Sequence, residues 1–147
     1  MPTTVAADPV TVANRLRPVL FKLNRALRRE LHSLGVTGGQ VSLLVQIRSQ
    51  RGIGVRELAA REGMSAPGMS KYVARLERDG LVERGPVGGD RRRIGLTLTE
   101  AGERVLRSVK HRRTAWLAAR LRELDPAEID AIDAAIEPLT VLLEVSA

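Results

Sequence analysis

The chain has 147 residues, one domain's worth, and a formal net charge of +7 from 24 Lys and Arg against 17 Asp and Glu. With no cysteine, it excludes disulfides, thiolate metal sites and cysteine-based redox sensing. No apolar run approaches the roughly 20 residues that span a membrane and the start lacks a charged-then-apolar signal, so a cytoplasmic protein with an anionic partner and no membrane association is expected.

Asp8-Pro9 reads as an N-cap and first helical residue, after which Leu16, Leu20, Leu23, Leu27, Leu31 and Leu34 recur every three or four positions. This spacing predicts an amphipathic helix over 9–34, kinked at Pro18. A second helix is predicted from Thr37, with Gln40 as capping-box partner and Val41, Leu44, Val45 and Ile47 on its apolar side.

Residues 54–102 predict a short helix, a tight turn, a second helix and a two-stranded hairpin. Two helices crossing steeply need a small residue at the crossing, a residue tolerant of positive φ in the turn, and an apolar face on the second helix. Ala59, Gly63 and Met69 fall where those demands fall, and Leu58, Tyr72, Val73 and Leu76 complete the apolar stripe. Ser65 is the expected N-cap of the second helix, Pro67 lies in its first turn, and Asp79-Gly80 ends it.

That order of elements is a winged helix-turn-helix and points to duplex DNA. The outward residues Ser65, Ala66, Pro67, Gly68, Ser70, Lys71 and Arg75 are the candidates for the major groove, with Arg78 further along the same helix. Small residues at the N-terminal end permit close approach, and the hydroxyl and cationic groups reach base edges or phosphate. A solvated helix face with ordinary charges is the alternative for any one of them.

In the hairpin, Leu81 to Arg84 alternates as a strand, Pro86-Val87-Gly88-Gly89 supplies the turn, and Arg93 to Leu98 returns, weakened slightly by Gly95. Asp90, Arg91, Arg92 and Arg93 are expected on a short loop at its tip, suited to a narrow minor groove that attracts inserted arginine. Asp90 cannot favour phosphate, so its expected role is to orient a neighbouring arginine.

Thr99 opens a long helix through Val105, Leu106, Val109, Trp116, Leu117, Leu121 and Leu124, and Asp125-Pro126-x-Glu128 starts a last one with Pro138 as a bend. From Glu123 onward there are seven acidic residues and no Lys or Arg, whereas the first helix carries Arg15, Arg17, Lys22, Arg25, Arg28 and Arg29 against Asp8 and Glu30. Terminal helices of opposite charge with apolar stripes fit packing against each other, within one chain or between two.

The run Leu58-Ala59, Gly63, Met64-Ser65, Arg75-Leu76-Glu77, Gly80-Leu81-Val82, Arg84, Asp90-x-Arg92, Leu98-Thr99-x-x-Gly102, with Thr37-x-x-Gln40 and Leu43-Leu44 upstream, resembles the MarR family of winged-helix transcriptional regulators. The resemblance covers most of the chain. It implies a mainly α fold with a small β-hairpin over 1–147, a winged helix DNA-binding region at 37–99, and helices at 9–34 and 100–147 that interleave into a homodimer. It further implies a regulator, usually a repressor, on a pseudo-palindromic site, and a cleft for small aromatic or phenolic acids. Arg17, Phe21, Arg25 and Trp116 are the candidates to line such a cleft. Since Phe21, Tyr72 and Trp116 are the only aromatics, DNA binding without an effector stays open.

Other function classes find less in the sequence. His32 and His111 read as surface or interface residues, no His, Asp or Glu cluster has metal spacing, and no G-x-S-x-G or phosphate-binding glycine loop is present. Neither catalysis, a metal nor a cofactor is expected. Single-stranded nucleic acid and RNA call for aromatic platforms that this chain lacks. A non-specific architectural DNA-binding protein and a partner-binding module on the winged fold remain as alternatives.

Overall fold

The computed structural model describes residues 6–145 of the chain. Its elements in order are α1 (Pro9–Arg29), α2 (Gly38–Ser49), α3 (Val55–Arg61), α4 (Ala66–Arg78), β1 (Val82–Val87), β2 (Asp90–Leu98), α5 (Glu100–Leu121) and α6 (Pro126–Glu144), with a 3-10 turn at His32–Leu34. Residues up to Arg112 form one compact unit and those from Arg113 a second.

Polar caps start the helices where the sequence placed them. The Asp8 carboxylate accepts from the Thr11 amide at 3.0 Å and its hydroxyl at 2.9 Å, and these bonds hold its pKa below the usual carboxylate range. Thr37 with Gln40 and Asp125 with Glu128 close reciprocal capping boxes on α2 and α6. The first helix differs from the expectation at its end: it runs on through Pro18 and stops at Arg29. Leu31 turns into the core instead, and the 3-10 turn closes on Gly35 at a φ of 70°.

The first unit holds a core of buried side chains drawn from α2, α3, α4, β1, β2 and α5, with Leu31 from the turn after α1. Leu31, Leu44, Ile47, Leu58, Met69, Val73, Leu76 and Leu96 are its largest members, joined by Leu106 and Val109 of α5. Ala59 of α3 is buried beside them and supplies the small residue of the helix crossing.

The sheet is antiparallel, β1 against β2, in a register from Val82↔Leu98 to Pro86↔Ile94. A third stretch joins it that the sequence pattern did not suggest. Ile53, between α2 and α3, bridges Leu96: the Gly52 amide donates to the Leu96 carbonyl at 2.8 Å and the Leu96 amide to the Ile53 carbonyl at 2.9 Å. Gly95 therefore does more than weaken its strand. A Cβ there would collide with the Gly52 carbonyl oxygen and the Val87 side chain, so glycine is what lets the strand lie against this loop.

Candidate nucleic-acid interface

Both helices of the helix-turn-helix end in the same backbone device. After α3 the Gly63 amide donates to the Ala60 carbonyl and Met64 to Ala59; after α4, Gly80 donates to Glu77 and Leu81 to Leu76. This pair of bonds requires a left-handed residue, and Gly63 and Gly80 supply it at φ values of 63° and 73°. The turn is further tied down by the Gln46 side-chain amide of α2, which donates to the Glu62 carboxylate.

The expected major-groove residues run along α4 from its N-cap to its last turn. Ser65, Pro67, Lys71, Arg75 and Arg78 are exposed, while Ala66, Gly68 and Ser70 are half-buried. Ser65 caps the helix, its Oγ accepting from the Gly68 amide at 3.2 Å, which leaves its own hydroxyl proton available to an outside acceptor. Lys71 and Arg75 take part in no ion pair among the described residues. One member of the apolar stripe departs from expectation. Met69, Val73 and Leu76 are buried, but Tyr72 is 52% exposed, because the helical turn carries position 72 to the edge of the core face rather than onto it.

The hairpin differs from the sequence reading in where its strands begin. Pro86 and Val87 belong to β1, and β2 starts at Asp90. The turn is Gly88-Gly89 alone, both at positive φ (61° and 75°), the signature of a tight primed turn. Val87 is opposite Asp90 while Pro86 is opposite Ile94. Arg91, Arg92 and Arg93 thus have no partner positions on β1 and stand on a bulge of β2, not on a loop. All three are exposed. The Asp90 side chain, and with it the expected orienting role, lies outside what is described.

These arginines do not all share one setting. Arg93 lines a hollow of about 340 Å³ between the turn end of the wing and the loop before α3, with Gln50, Arg51, Gly52, Glu57 and Val87. Arg51, which the sequence reading passed over, also borders two neighbouring hollows beside Arg84 and Arg48. Its only sequence signal was the Arg51-Gly52 step between two helices, which is common in loops.

The motif Thr99-x-x-Gly102 closes the wing. The Thr99 hydroxyl donates to the Gly80 carbonyl at 2.5 Å and accepts from the Gly102 amide at 3.1 Å, so one side chain joins the end of α4 to the start of α5. Gly102 packs where a Cβ would collide with the Leu81 carbonyl oxygen.

The candidate effector residues fall on two elements. Arg17, Phe21 and Arg25 lie on exposed positions of α1, where Arg17 Nη1 donates to Asn14 Oδ1 at 3.1 Å. Trp116 belongs to α5 beyond the boundary between the units, half-buried, with the Arg120 guanidinium 5.0 Å from its ring centroid. No group of three or more His, Cys, Asp or Glu able to hold a metal occurs among the described residues, and no helix among them is long and apolar enough to cross a membrane.

Comparison with known proteins agrees with this geometry. The sequence model described as MarR family matches residues 34–93. An uncharacterized HTH-type transcriptional regulator of Mycobacterium bovis is 29% identical over 135 residues, covering 92% of this chain and 94% of the relative. A solved Pseudomonas aeruginosa protein described as a transcriptional regulator is 30% identical with a TM-score of 0.81, covering 93% of this chain and 96% of that one. The Staphylococcus aureus MepR F27L mutant, bound to an oligodeoxyribonucleotide, shares the fold at 19% identity and a TM-score of 0.68, over 90% of this chain and 97% of that one. With its helix-turn-helix, glycine-turned wing and Thr99-x-x-Gly102 closure in that arrangement, the chain belongs to the MarR family of transcriptional regulators.

Proposed function

We propose that this regulator binds a pseudo-palindromic duplex as a homodimer and represses by covering the promoter. The observation that carries the reading is the pairing of one exposed, cationic helix face, Ser65 to Arg75, with an arginine bulge on the adjoining wing. A helix of this shape fits the major groove with its N-terminal residues at base edges. The wing arginines suit the flanking minor groove, where negative potential is concentrated. The oligodeoxyribonucleotide held by MepR F27L makes the same use of the shared fold a natural reading.

The dimer is supported by apolar side chains that each terminal helix leaves in water. Neither α1 nor α6 buries any residue in the single chain, yet α1 exposes Val19, Leu20 and Phe21 and α6 exposes Ile136, Leu142 and Leu143. Patches of this kind mark interfaces, and the basic first helix complements the acidic last one. A two-fold dimer would set two recognition helices about 34–36 Å apart, on successive major grooves. An aromatic or phenolic acid would release such a dimer only by favouring another spacing of those helices. A cytoplasmic location follows from the same function.

The test is selection of duplexes from a random pool, followed by anisotropy titration of the enriched duplex and a shuffled one at two salt concentrations. A preference of about 10³ or more for the enriched sequence is expected of a specific regulator. Equal and steeply salt-dependent binding to both would replace this reading with non-specific architectural binding.

A further inference from the structure

Tyr72 is the one aromatic residue on α4, and it is half exposed rather than packed in the core. Its place on the helix is specific. Met69, Val73 and Leu76 define the inner face; Glu77 lies to one side of it, where it holds Arg84 of the wing. Position 72 lies to the other side, one turn from Gly68 and three residues from Arg75. Gly68 offers no side chain, and Arg75 is exposed without an ion pair among the described residues. The ring therefore stands on the side of α4 opposite Glu77, exposed, with Arg75 exposed one turn further on and Asp79 beyond it.

A largely apolar ring on that flank needs an apolar partner to gain from contact. The major groove is lined by hydrogen-bonding edges, and its one apolar protrusion is the C5-methyl of thymine. We propose that Tyr72 is a sequence-reading residue whose ring packs on a thymine methyl in each half-site. This inference rests on the DNA-reading function proposed above and adds a position at which the sequence read is fixed by packing rather than by charge.

The experiment uses the duplex enriched by the wild-type chain and replaces each thymine singly by deoxyuridine, which lacks only that methyl. Wild type and Tyr72→Phe are expected to weaken about fourfold at one thymine per half-site, the worth of one apolar carbon leaving contact. Tyr72→Ala should bind the unmodified duplex more weakly and show no penalty at that thymine. Because the side chain lies at the surface, an unchanged melting temperature is expected and confirms that the variant is folded. Equal deoxyuridine penalties for wild type and Tyr72→Ala, or no sensitive thymine in an enriched sequence, would overturn the role of Tyr72 alone. Failure of the wild type to enrich any sequence would overturn the DNA-reading function itself, and a ring kept for a protein partner would leave every deoxyuridine duplex bound equally.

Discussion

Arg84 Nε donates to Glu77 Oε1 at 2.7 Å, and this contact ties the first wing strand to the last turn of α4. Both side chains are about one-third exposed, so solvent screens the pair and its worth is modest despite the good distance. Its position matters more than its energy, because it joins the two parts that would enter neighbouring grooves.

A double-mutant cycle with Glu77→Ala and Arg84→Ala should therefore give a coupling of roughly 0.5–1 kcal/mol in urea unfolding, falling with added salt. The coupling should also appear in duplex affinity. Zero coupling in both measurements would show that the wing angle is set by the backbone alone.

The close approach at the wing root makes a sharper prediction. Gly95→Ala places a Cβ against the Gly52 carbonyl oxygen, a backbone atom that cannot rotate away. A loss of about 1–3 kcal/mol in denaturant unfolding is expected from such overpacking. Gly85→Ala, in the paired strand with open space around it, is the control and should cost little. Similar values for the two would mean that the 52–54 segment moves freely.

How far the fold was legible in the sequence follows from the range of the interactions. Caps and helix ends depend on residues within four positions of each other, and Asp8, Thr37, Ser65 and Asp125 act where their sequence neighbours placed them. The Ile53–Leu96 bridge joins residues far apart in the chain, and no local pattern announces it. Gly95 read as a weak strand residue because the loop it touches is invisible from its own strand. The wing register was misjudged for a related reason: the arginines sit on a bulge, and a bulge breaks the alternation that a strand is recognised by. Tyr72 lies at the margin of the apolar stripe, where helical spacing alone does not separate edge from interior. The face of α4 was legible because its buried residues fix its exposed ones.

For the wing, Arg92→Ala should weaken duplex binding by a few kcal/mol at most, and it should flatten the salt dependence. Each lost phosphate contact lowers the slope of log K against log salt by about 0.9. Lys71→Ala, on α4, should instead change the preference between enriched and shuffled duplexes more than the slope. Binding unchanged in Arg92→Ala would remove the wing from the groove.

The dimer has its own test at the apolar residues that α6 leaves in water. Leu143 is 86% exposed and Leu142 57%, values that a helix in a finished assembly would not keep at two adjacent leucines. A Leu142→Glu, Leu143→Glu variant adds two negative charges to an already acidic helix and should weaken dimerisation at least about 30-fold, the scale of a central interface residue. Light scattering should then report a dimer for the wild type and a monomer for the variant, with helix content by circular dichroism retained because neither residue supports the core. The monomer should lose its preference for paired half-sites. A wild type that is already monomeric at micromolar concentration would dismiss the two-fold reading and leave each helix-turn-helix to read DNA alone.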